Sequence, residues 1–186
     1  MKFTATDIHD VFIVDLEPRG DDRGFFSRVW CRNEFAEQGL STEVAQMNVS
    51  YNKYAGTLRG LHMQRPPHHE AKLIRCLAGA IVDVVVDVRP DSPTYLKHVM
   101  VELTPANRTA LAMPAYVAHA YQTLVDDSEV MYQVDGFYAP NSEQGFRHDD
   151  PAFGLTWPVP VTEMSDKDRN WPDFDPKLVA PVAEEK

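Results

Sequence analysis

Between positions 80 and 88 the chain reads Ala-Ile-Val-Asp-Val-Val-Val-Asp-Val. β-branched side chains dominate this run, and Asp83, Val85 and Asp87 alternate with Val84, Val86 and Val88, the period of a strand. Extended runs of the same kind cover residues 11–16, 24–30, 72–76, 98–103, 109–113 and 129–137. Gly, Pro, Asn and Asp clusters separate them, at residues 18–21, 54–56, 89–93, 105–107 and 139–142. Many short strands at short spacing predict an all-β sandwich or barrel. The helical pattern is confined to residues 32–38, where Gly39 supplies a stop. From Pro151 onward proline and tryptophan recur without a period, so that segment has to pack by individual side chains or not at all.

Composition narrows the picture. The chain has 186 residues, of which 44% are hydrophobic and 25% charged, the balance of a folded protein rather than a disordered one. One domain over residues 1–186 is expected, with 171–186 as a C-terminal tail. The net charge of -10 argues against general nucleic-acid binding. That charge is unevenly spread. Residues 19–75 hold nine Lys/Arg against six Asp/Glu, a net of +3, whereas residues 126–186 hold five against 14, a net of -9. The two cysteines, Cys31 and Cys76, form no CxxC pattern and no disulfide framework. Neither a signal-peptide pattern nor an apolar run near 20 residues is present, so a soluble cytoplasmic protein is expected.

Four clusters carry candidate chemistry. The densest is Thr57-Leu58-Arg59-Gly60-Leu61-His62-Met63-Gln64-Arg65, followed by His68-His69-Glu70 and Lys72. Strand ligands for a metal need i, i+2 spacing on one face, and these histidines lack it. His68 and His69 follow Pro66-Pro67 and read as exposed loop residues. His62, between Leu61 and Met63, reads either as a structural histidine or as one facing a lined cavity. The nearby cations Arg59 and Lys72 favour an anionic ligand there. The other clusters surround His119, Tyr132 and the run Ser165-Asp166-Lys167-Asp168. Taken singly, His119 and Tyr132 read equally as core residues, and the charge run as a solvated loop.

The order of these clusters is more specific than any one of them. Asp22-Arg23-Gly24-Phe25-Phe26, Gln46-x-Asn48-x-Ser50, Leu58-Arg59-Gly60-Leu61-His62-x-Gln64, Lys72-Leu73-x-Arg75-Cys76, the 83–94 segment, Ala118-His119, Tyr132, Tyr138-x-Pro140 and Ser165-x-Lys167-Asp168 follow one another along nearly the whole chain. In this the sequence resembles the nucleotide-sugar 3,5-epimerases of the cupin superfamily. The resemblance implies a cupin-type jelly-roll β-barrel with a few short helices and a C-terminal arm, a homodimer, and neither metal nor cofactor. It implies an epimerase of a nucleotide-linked 4-keto-6-deoxy sugar in deoxysugar biosynthesis. His62 would be the base, Asp168 its partner, Lys72 the stabiliser of the enolate oxygen and Tyr132 the acid on the opposite face. Arg23 and Arg59 would hold the diphosphate. Phe26, Arg28, Gln46, Met47, Asn48, His119, Tyr138, Glu143 and Lys167 fall at positions that contact nucleotide or sugar.

The chain departs from the family pattern at three places. Arg28 stands where the family commonly has a glutamate in the base pocket, and a guanidinium only donates hydrogen bonds where a carboxylate accepts them. Met47 stands where Asp or Cys is usual. Tyr116 and Ala120 replace both glycines of the Pro-x-Gly-x-Ala-His-Gly segment, so Tyr116 is expected to narrow the pocket or alter a turn. Base and sugar stay open, as does inversion at C3, C5 or both. Two other hypotheses stand beside the epimerase: a metal-dependent cupin enzyme using His62, His68 or His119, and a non-catalytic nucleotide-sugar binder.

Overall fold

The computed structural model describes residues 1–179; the last seven residues of the expected tail lie outside the described residues. The strands are β1 (Lys2–Ala5), β2 (Phe12–Asp15), β3 (Arg19–Asp21), β4 (Gly24–Phe26), β5 (Gln46–Asn52), β6 (Leu58–Gln64), β7 (Lys72–Ala78), β8 (Ile81–Val86), β9 (His98–Leu103), β10 (Ala110–Met113), β11 (Ala118–Thr123), β12 (Ser128–Val134) and β13 (Glu143–Gly145). Two short helices, α1 (Arg32–Glu37) and α2 (Asp166–Arg169), complete the regular elements together with single 3-10 turns at Pro140–Ser142 and Pro176–Val179. No helix of the described residues is long and apolar enough to cross a membrane.

Six strands form one antiparallel sheet in the order β1-β2-β10-β7-β12-β5, and five form a second in the order β13-β6-β11-β8-β9. The two sheets pack face to face as a cupin-like jelly roll. The hairpin β3–β4 stands apart from both. The strand expected over residues 24–30 therefore stops at Phe26, since no neighbouring strand exists to pair residues 27–30. The expected helix is found, and Gly39 follows it with φ +70, a conformation open to glycine at little cost.

Strand β8 explains why its alternating pattern is buried throughout. Ile81 and Val85 face the core between the sheets, with Ile74, Leu111, Tyr121 and Val130. Val84, Val86 and the following Val88 face the other way, against Phe146, Phe153 and Val179. Asp83 shares the parity of Val85 and so points between the sheets, fully buried. A third cluster joins Leu73, Ala110 and Ala112 to Phe35 of α1 and the N-terminal strands.

The proline- and tryptophan-rich segment packs by individual side chains. Phe146, Phe153 and Phe174 meet edge-on or tilted, with ring centroids 5.2–5.8 Å apart. The buried Gln122 side chain donates to Val159 O at 2.9 Å and accepts from Val159 N at 3.4 Å. Four residues on, Leu58 N donates to Glu163 O at 2.9 Å, which ties the segment to the start of β6 and delivers α2 beside His62.

Candidate active site

His62 lies in the middle of β6, opposite His119 of β11 on one side and Gly145 of β13 on the other. It lines a cavity of about 390 Å³ together with Arg59, Ser165, Lys167 and Asp168. Its Nε2 is 2.6 Å from Oδ1 of Asp168, whose side chain is 4% exposed. Ser165 caps α2 by accepting from Asp168 N at 3.1 Å, which points the carboxylate at β6. Burial works to raise the Asp168 carboxyl, but hydrogen bonds from His62, Trp171 and Gly60 outweigh it and hold the group below its ordinary value. An ionised carboxylate can only accept, so His62 Nε2 is the donor to Asp168. The arrangement is that of a general base with an orienting anion.

His119 is buried, and its Nε2 is 2.7 Å from Asp83 Oδ1. Burial pushes the Asp83 carboxyl above its usual range, against the pull of His119 and Lys72, and Oδ2 has no partner among the described residues. The His119 ring meets Tyr132 edge-on at 6.1 Å. Tyr132 belongs to β12, on the opposite sheet from His62. Burial, then Tyr121 and Asp83, push its phenol well above the ordinary value, so it stays protonated at neutral pH. Lys72, on the neighbouring β7, is 9% exposed and lies 3.2 Å from Glu70. The sequence marks Asp83 only as a carboxylate in an otherwise apolar, buried strand.

A second network lines the same region. Asn52 Oδ1 accepts from Arg59 Nε at 2.9 Å and from Tyr121 OH at 3.0 Å. Asn48 faces Tyr132 across the β5–β12 ladder, so Gln46 and Asn48 look inward with it. Glu143 accepts from Tyr138 OH at 2.7 Å and from Lys167 Nζ, and these two contacts outweigh burial and hold its carboxyl low.

Four of the expected contacts lie elsewhere in this chain. Met47 alternates with Gln46 and Asn48 and so points to the outer face of its sheet, 58% exposed. Arg23 is on the free hairpin, paired with its own Asp21. Phe26 is exposed on the same hairpin, and Arg28 pairs with Glu34 at 2.6 Å. These three line clefts separate from the His62 cavity, because β3–β4 docks on neither sheet. Tyr116 has φ +67 and packs against the Val86–Phe146 cluster. It therefore alters the turn rather than narrowing the pocket. His62 pairs with Asp168, His119 with Asp83, and His68 is exposed on a loop, so the three histidines of the metal hypothesis do not converge. Among the described residues no three His, Cys, Asp or Glu side chains are grouped to hold a metal.

The family model described as dTDP-4-dehydrorhamnose 3,5-epimerase matches residues 5–176. A dTDP-4-dehydrorhamnose 3,5-epimerase from Sinorhizobium fredii is 41% identical over 94% of this chain and 90% of its own length. The Bacillus anthracis enzyme of that name, solved with TDP and PPi bound, is 38% identical, covers 93% of this chain and 99% of its own, and superposes with a TM-score of 0.88. A 3'-monoepimerase from Streptomyces bikiniensis, solved with dTDP-quinovose, is 30% identical, covers 95% and 91% of the two chains, and gives 0.85. A chain so matched along nearly its whole length belongs to the dTDP-4-dehydrorhamnose 3,5-epimerase family, whose members are isomerases.

Proposed function

We propose that the protein inverts C3 and C5 of a dTDP-linked 4-keto-6-deoxyhexose during deoxysugar biosynthesis. The observation that carries this is the separation of His62 and Tyr132 onto opposite sheets, with Lys72 and His119 beside Tyr132. Hydrogens next to the C4 carbonyl are acidified by it. His62 Nδ1 takes one, the C–H electron pair moves into an enolate, and the Lys72 ammonium faces the charge on the C4 oxygen. The Tyr132 phenol then protonates the carbon from the other face. His62 returns its proton to solvent and Tyr132 regains one, so the cycle closes without a redox partner. Arg59 supplies a guanidinium for the diphosphate. The curated relatives named 3,5-epimerase, such as those of Sinorhizobium fredii and Shigella flexneri, support inversion at both carbons.

We further propose that the working form is a homodimer. Met47, Val49 and Tyr51 form an exposed apolar row on the outer face of β5, and the buried Arg75 guanidinium is held by the Arg108 and Val29 carbonyls. Arg23, Phe26 and Arg28, unable to reach the His62 cavity of their own chain, are free to serve the second copy. Sedimentation showing only monomer overturns this part.

The catalytic proposal is tested in D2O with dTDP-, CDP-, GDP- and UDP-linked 4-keto-6-deoxyglucose, followed by NMR. Deuterium entering C3 and C5 of the dTDP form is expected. Absence of exchange with all four rules the reaction out. His62→Ala is expected to abolish exchange.

A further inference from the structure

Helix α2 is a single turn of four residues, Asp166–Arg169. A lone turn does not hold itself together, because fixing its backbone angles costs more than its few hydrogen bonds return. Yet it carries Asp168, whose carboxylate has to meet His62 at hydrogen-bond distance. Ser165 and the Leu58–Glu163 bond anchor the turn from its N-terminal side. On the C-terminal side the anchor is Trp171.

The indole of Trp171 makes three contacts at once. Its Nε1–H donates to Asp168 Oδ1 at 3.3 Å, the same oxygen that receives His62. Its ring lies directly on Gly145, where a Cβ would overlap the indole. Gly145 is the residue paired with His62 across the β6–β13 ladder. The Lys167 ammonium lies over the same ring, 5.8 Å from its centre. The turn is thus pressed onto the strand beside the base, in register with it.

We propose that Trp171 is a positioning residue for the His62–Asp168 pair, with Gly145 as the seat that admits its ring. This rests on the epimerase reading for its kinetic consequence but not for its geometry. The indole N–H holds the shared carboxylate oxygen in line with His62, and the ring fixes the distance between α2 and β6. A hydrogen bond to a charged group is stronger than one to a neutral group, and at 3.3 Å this one falls at the weaker end.

The test has two arms. The first needs no substrate: the Trp171 indole resonance, assigned by its loss in Trp171→Phe, is followed in a 1H–15N spectrum. Asp168→Asn is expected to move it strongly while the Trp30 and Trp157 indoles stay in place. An unmoved Trp171 resonance overturns the proposal. The second arm measures hydrogen exchange into the sugar. Trp171→Phe keeps a ring and removes the donor, so kcat is expected to fall about 3- to 10-fold with KM within about twofold. Gly145→Ala should lower kcat similarly in the native background and add nothing in a Trp171→Ala background, the signature of two residues acting as one contact. A Trp171→Phe enzyme with native kcat, or one that changes KM alone, overturns the proposal. So do additive losses in the Gly145 and Trp171 variants. If the native protein exchanges nothing, the epimerase reading fails while the spectral arm still judges Trp171.

Discussion

Replacing Asp168 by asparagine keeps the shape of the side chain and removes its charge. In the native pair His62 Nε2 is 2.6 Å from Oδ1, and the aspartate side chain is 4% exposed. In the proposed reaction His62 takes a proton from the sugar, and an imidazolium forms next to this carboxylate. With the charge centres ~4 Å apart and an effective dielectric of ~20, the attraction is on the order of 4 kcal/mol. Solvent reaching His62, which is about one-third exposed, reduces that to ~3 kcal/mol. At 1.36 kcal/mol per decade this is a ~100- to 1,000-fold loss in the rate of proton removal. The asparagine amide also offers a donor where the carboxylate offered only acceptors, which favours the wrong imidazole tautomer and adds to the loss. The assay is deuterium wash-in at C3 and C5 under saturating substrate, with substrate affinity measured separately by calorimetry. Affinity is expected to change by less than about threefold, since Asp168 is reserved for the transition state. An Asp168→Asn protein that folds and still exchanges within fivefold of the native rate refutes the assignment of His62–Asp168 as the base pair.

Tyr132→Phe removes one phenol oxygen on the sheet opposite His62; in the proposed reaction deuterium exchange should persist within about tenfold while net inversion falls by about 100-fold or more, read by NMR of the product stereochemistry. Asp87 is fully buried and accepts from Arg89, Ser92 and Thr94. Burial opposes ionisation, but these bonds outweigh it and hold the carboxyl at about 2 instead of 3.8. A carboxyl depressed on folding stabilises the fold above its unfolded value and loses that contribution as pH falls towards 2. The difference is worth ~2.5 kcal/mol at neutral pH. Asp87→Asn should therefore be less stable than the native chain in urea at pH 7, and the gap should narrow as pH drops below 4. Phe174→Ala opens a gap beside Phe146 and Phe153 and should cost ~2–3 kcal/mol in urea melts.

The strand pattern and the order of the motifs made the fold class and the family legible. A valine-rich strand such as Ile81–Val86 carries its own period, and period alone dictates which residues share a face. Local signals also marked helix α1 and its stop at Gly39, because helix ends are read from neighbouring residues. The role of Asp83 was not legible, since its partner His119 is 36 residues away. The face that Met47 takes was legible from strand alternation, which turns it away from Gln46 and Asn48. Tyr116 was only half legible: its turn geometry is local, but its packing against the Val86–Phe146 cluster depends on distant strands.

By itself the sequence determined the β-rich architecture, the order of the motifs that carry His62, Lys72, Tyr132 and Asp168, and the positive character of the segment from residue 19 to 75. These follow from side-chain chemistry and periodicity, which are properties of the chain. Only the tertiary structure decided that Asp168 meets His62 across 106 residues, that Tyr132 faces from the other sheet, and that the hairpin of Arg23 stays clear of its own cavity. Those outcomes depend on how two sheets stack and where the aperiodic segment after Pro151 docks. Both are set by burial summed over the whole molecule, and no local pattern encodes that sum.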